Sequence, residues 1–140
     1  MNVVLPLLNA AVFLLLAMLH LYWMIGGNWG YHAAIPTDGN GRKLFRPGPV
    51  ATFAVALGLI LFALVNILLA GLLPPVMPKE YLRISLMIIA GIFLLRAIGD
   101  FRYVGFSKRF RKTRFAEMDS KFYSPLCLVL AIMNSWWLIQ

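Results

Sequence analysis

The chain has 140 residues, of which 61% are hydrophobic, 14% aromatic and only 13% charged, with a net charge of +8 and a mean hydropathy of +0.81. A soluble domain carries about 25% charged residues, so too little polar surface is left here to cover a water-facing globule. Disorder, collagen and coiled coil are excluded on the same grounds, and an integral membrane protein remains.

Charge spacing divides the apolar mass into segments, with uncharged stretches at 1–37, 47–78, 84–95 and 122–140. A hydrocarbon core about 30 Å thick needs roughly 20 helical residues, so the first, second and fourth stretches can each cross it. The third reaches only about 18 Å at 1.5 Å per residue and must recruit its flanks, which draws Arg96 inside or close to the inner edge. Long runs of Leu, Ala, Ile and Met without alternation favour helix over strand. The expected fold is therefore all-α, an integral membrane four-transmembrane-helix bundle forming one domain over 1–140. The spans fall at about 3–25, 50–73, 82–100 and 122–139.

The first span lacks a basic leader and runs into His20, Tyr22 and Trp23 rather than a small-residue cleavage site, so it reads as a retained helix. Gly26, Gly27 and Gly30 stop it, Pro74 and Pro75 stop the second, and Ser124-Pro125 or Asp119-Ser120 cap the fourth. Tyr22, Trp23, Trp29 and Tyr31 fit an inner aromatic belt, and Trp136 and Trp137 an outer one. Cys127 is the lone cysteine, so no intrachain disulfide forms.

Loop 26–49 carries Arg42, Lys43 and Arg46, and loop 101–121 carries Arg102, Lys108, Arg109, Arg111, Lys112, Arg114 and Lys121. Loop 74–81 has only Lys79, with Arg83 just inside the next helix. Short cytoplasmic loops are enriched in Lys and Arg. Loops one and three are thus expected on the cytoplasmic side of a bacterial inner membrane, with both termini extracytoplasmic. Beside a membrane span, the basic third loop with its interleaved phenylalanines reads as attachment to anionic headgroups, worth about 1 kcal/mol per cation. Membrane lipids are the expected partners, nucleic acid is not, and a protein partner or homo-oligomer stays open.

Each span carries one polar stripe. Asn9, Phe13, Leu16, His20, Trp23 and Gly27 share a face of the first, and Thr52 and Asn66 a face of the second. Ser85, Ile89, Phe93, Arg96 and Asp100 step along the third, and Cys127 and Asn134 along the fourth. Polar groups are costly against lipid, so the stripes converge on the interior. Asn9, Asn66, Ser85 and Asn134 form an outer layer suited to interhelical hydrogen bonds. His20, Thr52, Arg96, Asp100 and Cys127 form an inner layer nearest loops one and three.

In that inner layer Arg96 and Asp100 stand four apart and can pair across one turn, either as a structural ion pair or as a functional site. Asp100 faces the negative end of the helix dipole, with Arg96, Arg102 or His20 to compensate it. His20 is either a hydrogen-bonded packing residue or a proton-transfer group; it and Asp100 are the catalytic candidates. A Cys127 nucleophile assisted by His20 and Asp100 has no support in the spacing. No metal-ligand spacing is present, and neither metal nor cofactor is expected.

Larger motifs combine these residues. His20-x-x-Trp23 with Gly26-Gly27, Trp29-Gly30 and Pro36 comes first, followed by Pro49 and Thr52. Arg96-x-x-Gly99-Asp100-Phe101-x-Tyr103-x-Gly105-Phe106-x-Lys108, Phe115-Ala116-x-x-Asp119 and Tyr123-x-Pro125-Leu126-Cys127 complete the set. Together they resemble a family of small bacterial four-helix membrane proteins known as a domain of unknown function. The resemblance implies the four-span fold and brings no reaction with it. Its motif residues gather in the same inner layer. His20, Trp23, Thr52, Arg96, Asp100, Arg102, Tyr103, Lys108, Asp119, Tyr123 and Cys127 are the expected binding residues.

The favoured function is a binding or accessory module whose cytoplasm-facing pocket takes a lipid headgroup, small ligand or partner helix. Alternatives are a compact membrane enzyme acting on a lipid or isoprenoid-like substrate, a small oligomeric transporter, and an immunity protein against a membrane-acting toxin.

Overall fold

The computed structural model describes residues 3–139, which form helices and no β-strand beyond an isolated bridge between Thr37 and Lys43. α1 spans Val4–Met24, α2 is the single turn Tyr31–Ala34, α3 spans Pro49–Leu69 and α4 spans Lys79–Ile98. α5 (Arg114–Met118) runs through a π-helical turn (Asp119–Tyr123) into α6 (Ser124–Trp136). Among the described residues, α1, α3 and α4 are long and apolar enough to cross a membrane. α6 has 13 regular α-helical residues, which reach about 20 Å.

Several helix ends differ from expectation for local reasons. α3 begins on Pro49, whose missing N–H costs nothing in a first turn. It stops at Leu69 because Gly71 turns the chain with φ +75°, before Pro74 and Pro75 are reached. α4 stops at Ile98 because Gly99 leaves the helix with φ +90°. The last helical run starts at Arg114, where Thr113 Oγ1 accepts the Ala116 N–H at 3.1 Å. Asp119-Ser120 and Ser124-Pro125 therefore lie inside the run instead of capping it. Pro125 donates no N–H to the preceding turn, and the backbone there relaxes into the wider π turn, in which the Ser124 N–H reaches Asp119 O.

α1 packs along α3 and α4 along α6, so two antiparallel pairs form the body of the molecule. Their shared core contains Ala10, Phe13, Ala17, Leu59, Ala63, Ile89, Phe93, Leu130 and Ala131. Alanines on the stripes let the backbones approach, and three rings fill the remaining centre. Phe13, Phe62 and Phe93 stand 5.8, 5.4 and 6.1 Å apart by centroid and tie α1, α3 and α4 together. The outward faces stay apolar: Leu15, Met18, Leu61, Ile88, Ile92 and Leu95 are all exposed. Such a surface suits lipid and would aggregate in water.

Toward the N-terminal end of α1, three fully buried amides cross the bundle. Asn9 Nδ2 donates to Asn66 Oδ1 at 3.2 Å, and Asn66 Nδ2 to Asn134 Oδ1 at 3.3 Å, linking α1, α3 and α6. Asn66 and Asn134 also donate to Phe62 O and Leu130 O on their own helices. Ser85 is absent from this network and donates to Tyr81 O instead.

Candidate functional site

At the opposite end, loop one folds back beneath the bundle. Its apolar residues Ala33, Ile35 and Pro36 are buried, which holds α2 against the chain near α5. Between this loop, α1, α3 and α4 lies a cavity of about 520 Å³. His20 and Trp23 come from α1, Ala51, Thr52 and Val55 from α3, and Arg96 from α4. Tyr31, Ala34, Ile35, Phe45 and Pro47 of the loop close it. A recess of about 230 Å³ adjoins it and shares Trp23, Tyr31, Pro47 and Thr52.

Two polar side chains in the wall have committed their donors. Trp23 Nε1 donates to Trp29 O at 2.8 Å, so the indole offers only its ring; His20 lies 5.0 Å from that ring and Tyr31 6.0 Å. Thr52 Oγ1 donates to Gly48 O at 3.0 Å. His20 Nδ1 lies 2.7 Å from Leu16 O. A carbonyl only accepts, so Nδ1 carries the proton and Nε2 is the free edge of the ring. Arg96 makes one hydrogen bond among the described residues, from Nη2 to Asp119 Oδ1 at 2.9 Å. Its side chain is 33% exposed, and Nη1 is buried without a hydrogen-bond partner.

Asp119 sits behind the cavity wall and is fully buried. Its Oδ2 accepts from Lys108 Nζ and from the Gly105 N–H, each at 2.9 Å, while Oδ1 holds Arg96. Lys108, with 1% of its side chain accessible, also donates to Gly105 O. One carboxylate thus clips loop three to α4. Burial pushes the Asp119 carboxyl up, but hydrogen bonds from Lys108 and Arg96, the Arg96 charge and the Gly105 N–H outweigh it and hold the group below the usual carboxylate range.

Loop three is itself tightly wound. Phe106 and Ser107 N–H groups return to Ala97 O and Ile98 O at 2.8 and 3.2 Å, satisfying carbonyls at the end of α4. Gly99 and Gly105 make the crossing possible: a Cβ on Gly99 would lie 1.8 Å from Val104 O, and one on Gly105 2.4 Å from Gly99 Cα. Asp100 Oδ1 accepts the N–H groups of Arg102, Tyr103 and Val104 at 2.7–2.9 Å. Burial raises the Asp100 carboxyl, and the backbone donors, these three foremost, together bring it below its ordinary value.

The expected Arg96–Asp100 pair therefore does not form. Gly99 takes the chain out of helical register, so Asp100 swings outward onto backbone donors and Arg96 turns to Asp119, 23 residues away. Asp100 and Arg102 line a separate surface recess with Phe101, Arg109 and Phe110, away from His20. Tyr103 stacks on Phe110 at 5.0 Å, with Arg102 over its ring. Tyr123 packs against Phe115 at 6.1 Å, and Cys127 packs against the core. His20, Asp100 and Cys127 are thus not assembled into one constellation. Lys108, counted from its sequence among surface cations, is an interior one.

Of the expected site residues, the cavity brings together His20, Trp23, Thr52 and Arg96. Sequence reasoning missed Ala51, Val55, Phe45 and Pro47 as wall residues and placed Tyr31 in an interfacial belt. The uncharged Tyr31–Pro36 segment inside an otherwise polar loop was the available signal that loop one re-enters the bundle. Among the described residues no cluster of three His, Cys, Asp or Glu side chains could hold a metal ion.

These features define an all-helical membrane protein with an apolar-walled cavity backed by a buried ion-pair clamp. The chain belongs to the family described as protein of unknown function (DUF3995), whose match covers residues 13–134 and so includes both cavity and clamp. No curated protein and no solved structure matches it.

Proposed function

We propose that the protein is a membrane-embedded binding module that holds an amphipathic molecule in the cavity between loop one, α1, α3 and α4. The observation that carries this reading is the cavity itself: about 520 Å³, within the range of small-ligand sites, with mainly apolar and aromatic walls and few polar groups left unengaged. An enzyme reading lacks an assembled acid–base pair, since Asp100 stands apart from His20.

In this reading the chain over about 122–139, which contains α6, makes the fourth crossing, and both termini are extracytoplasmic. The cavity then opens at the cytoplasmic face of a bacterial inner membrane. Arg42, Arg46, Arg109, Arg111, Lys112, Arg114 and Lys121 are exposed at that end and suit anionic headgroups. Ala51→Trp places an indole in the cavity without touching the clamp. Native mass spectrometry of the purified chain should show a retained amphiphile that this variant loses. Equal retention by both proteins refutes the cavity as the binding site. Reporter fusions placing the termini in the cytosol refute the orientation.

A further inference from the structure

Resting on that binding reading, we infer that the cavity selects an amphipathic anion, with Arg96 gripping its phosphate or carboxylate group and the aromatic wall holding its apolar body. The donors still free in the wall belong to Arg96 and to the Tyr31 hydroxyl, which makes no hydrogen bond among the described residues. Trp23 Nε1 and the Thr52 hydroxyl proton are committed to backbone carbonyls. Arg96 carries five N–H donors in a planar fork and makes one hydrogen bond, to Asp119. His20 donates its Nδ1 proton to Leu16 O, so its Nε2 is an acceptor and offers an anion no donor.

The charge balance points the same way. Asp119 faces two cations, Arg96 and Lys108, at 2.9 Å each. Lys108 is the more deeply buried and takes one carboxylate oxygen, together with the Gly105 N–H. The Asp119–Arg96–Lys108 group therefore keeps a net positive charge, and its Arg96 member is the one in the cavity wall. A guanidinium with unused donors is matched by an oxyanion. Asp119 acts here as a positioning residue, fixing the guanidinium through Nη2.

The test compares ligands of one chain length on the full protein in nonionic detergent, read by native mass spectrometry: dodecyl phosphate, dodecanoate and neutral dodecyl maltoside. Wild type should bind the two anions at least about tenfold more tightly than the neutral compound, the size of one charge-assisted contact. Arg96→Gln should reduce that preference below about twofold. Its Asp119 keeps Lys108, and a monodisperse elution profile reports folding. Arg96→Lys, which keeps a cation beside Asp119 but loses the planar fork, should reduce the preference by a few-fold and provides the second line should Arg96→Gln not fold. Equal binding of anionic and neutral probes to wild type, with both lost in Ala51→Trp, overturns the anion inference while the binding module stands. Binding of all probes unaffected by Ala51→Trp removes the binding module itself. Anionic phospholipid retained through purification and displaced by dodecyl phosphate assigns the anion to the membrane. Binding of dodecyl phosphate without any retained phospholipid assigns it to a free amphiphile.

Discussion

Replacing Asp119 by asparagine keeps the shape of the side chain and an acceptor for the Gly105 N–H, but removes the charge that two cations share. Lys108 is 1% accessible, so water cannot take over from the lost carboxylate. Stranding a buried charge in this way costs about 3–5 kcal/mol. Arg96, a third exposed, contributes much less because solvent screens it. The expected loss is therefore about 3 kcal/mol, set mainly by Lys108. Reversible unfolding in mixed dodecyl sulfate micelles, followed by tryptophan fluorescence, measures it. Adding Lys108→Met removes the stranded charge, and the double variant should be at least about 1 kcal/mol more stable than Asp119→Asn alone. An Asp119→Asn loss under about 0.5 kcal/mol, or a Lys108→Met cost that simply adds, refutes the clamp. Protonation acts in the same direction. Because the folded carboxyl titrates below its unfolded value of about 3.9, its contribution is complete above that pH and is lost as the pH falls through the lower folded value.

Gly99→Ala and Gly105→Ala each place a methyl group against backbone at positive φ and should cost well over 2 kcal/mol, seen as loss of monodisperse protein. Gly41→Ala, with φ +77° but nothing within 4 Å, should cost only about 1 kcal/mol in the same unfolding assay. Asp100→Ala should leave the bundle intact but speed amide hydrogen exchange at Arg102, Tyr103 and Val104, whereas Asp100→Asn should retain most of their protection. Asn66→Leu breaks both interhelical amide contacts and should cost about 1 kcal/mol; a variant as stable as wild type would show that the amide chain contributes only specificity.

Membrane residence, three crossing helices and the polar stripes follow from local quantities. A helix places every third and fourth residue on one face, and lipid penalises any polar group turned outward, so Asn9, Asn66 and Asn134 were bound to meet. The same reasoning placed His20, Trp23, Thr52 and Arg96 near one end of the bundle. It failed for Ser85, which bonds Tyr81 O on its own helix, and where the chain leaves regular structure. An i, i+4 rule holds only inside a helix, and the positive φ of Gly99 ends the helix before Asp100. The partner of Arg96 then depends on where a separate segment brings its carboxylate, which no periodicity specifies.

What the sequence by itself determined was the solvent: a chain so poor in charge and so rich in long apolar runs must place its helices in lipid and turn its few amides inward. Tertiary structure alone decided the site. Two glycines cross in loop three, Asp119 is thereby seated between Lys108 and Arg96, and loop one folds under the bundle to roof a cavity. Those contacts join residues distant in the chain through single backbone angles and single charges, and such long-range terms leave no repeating trace in sequence.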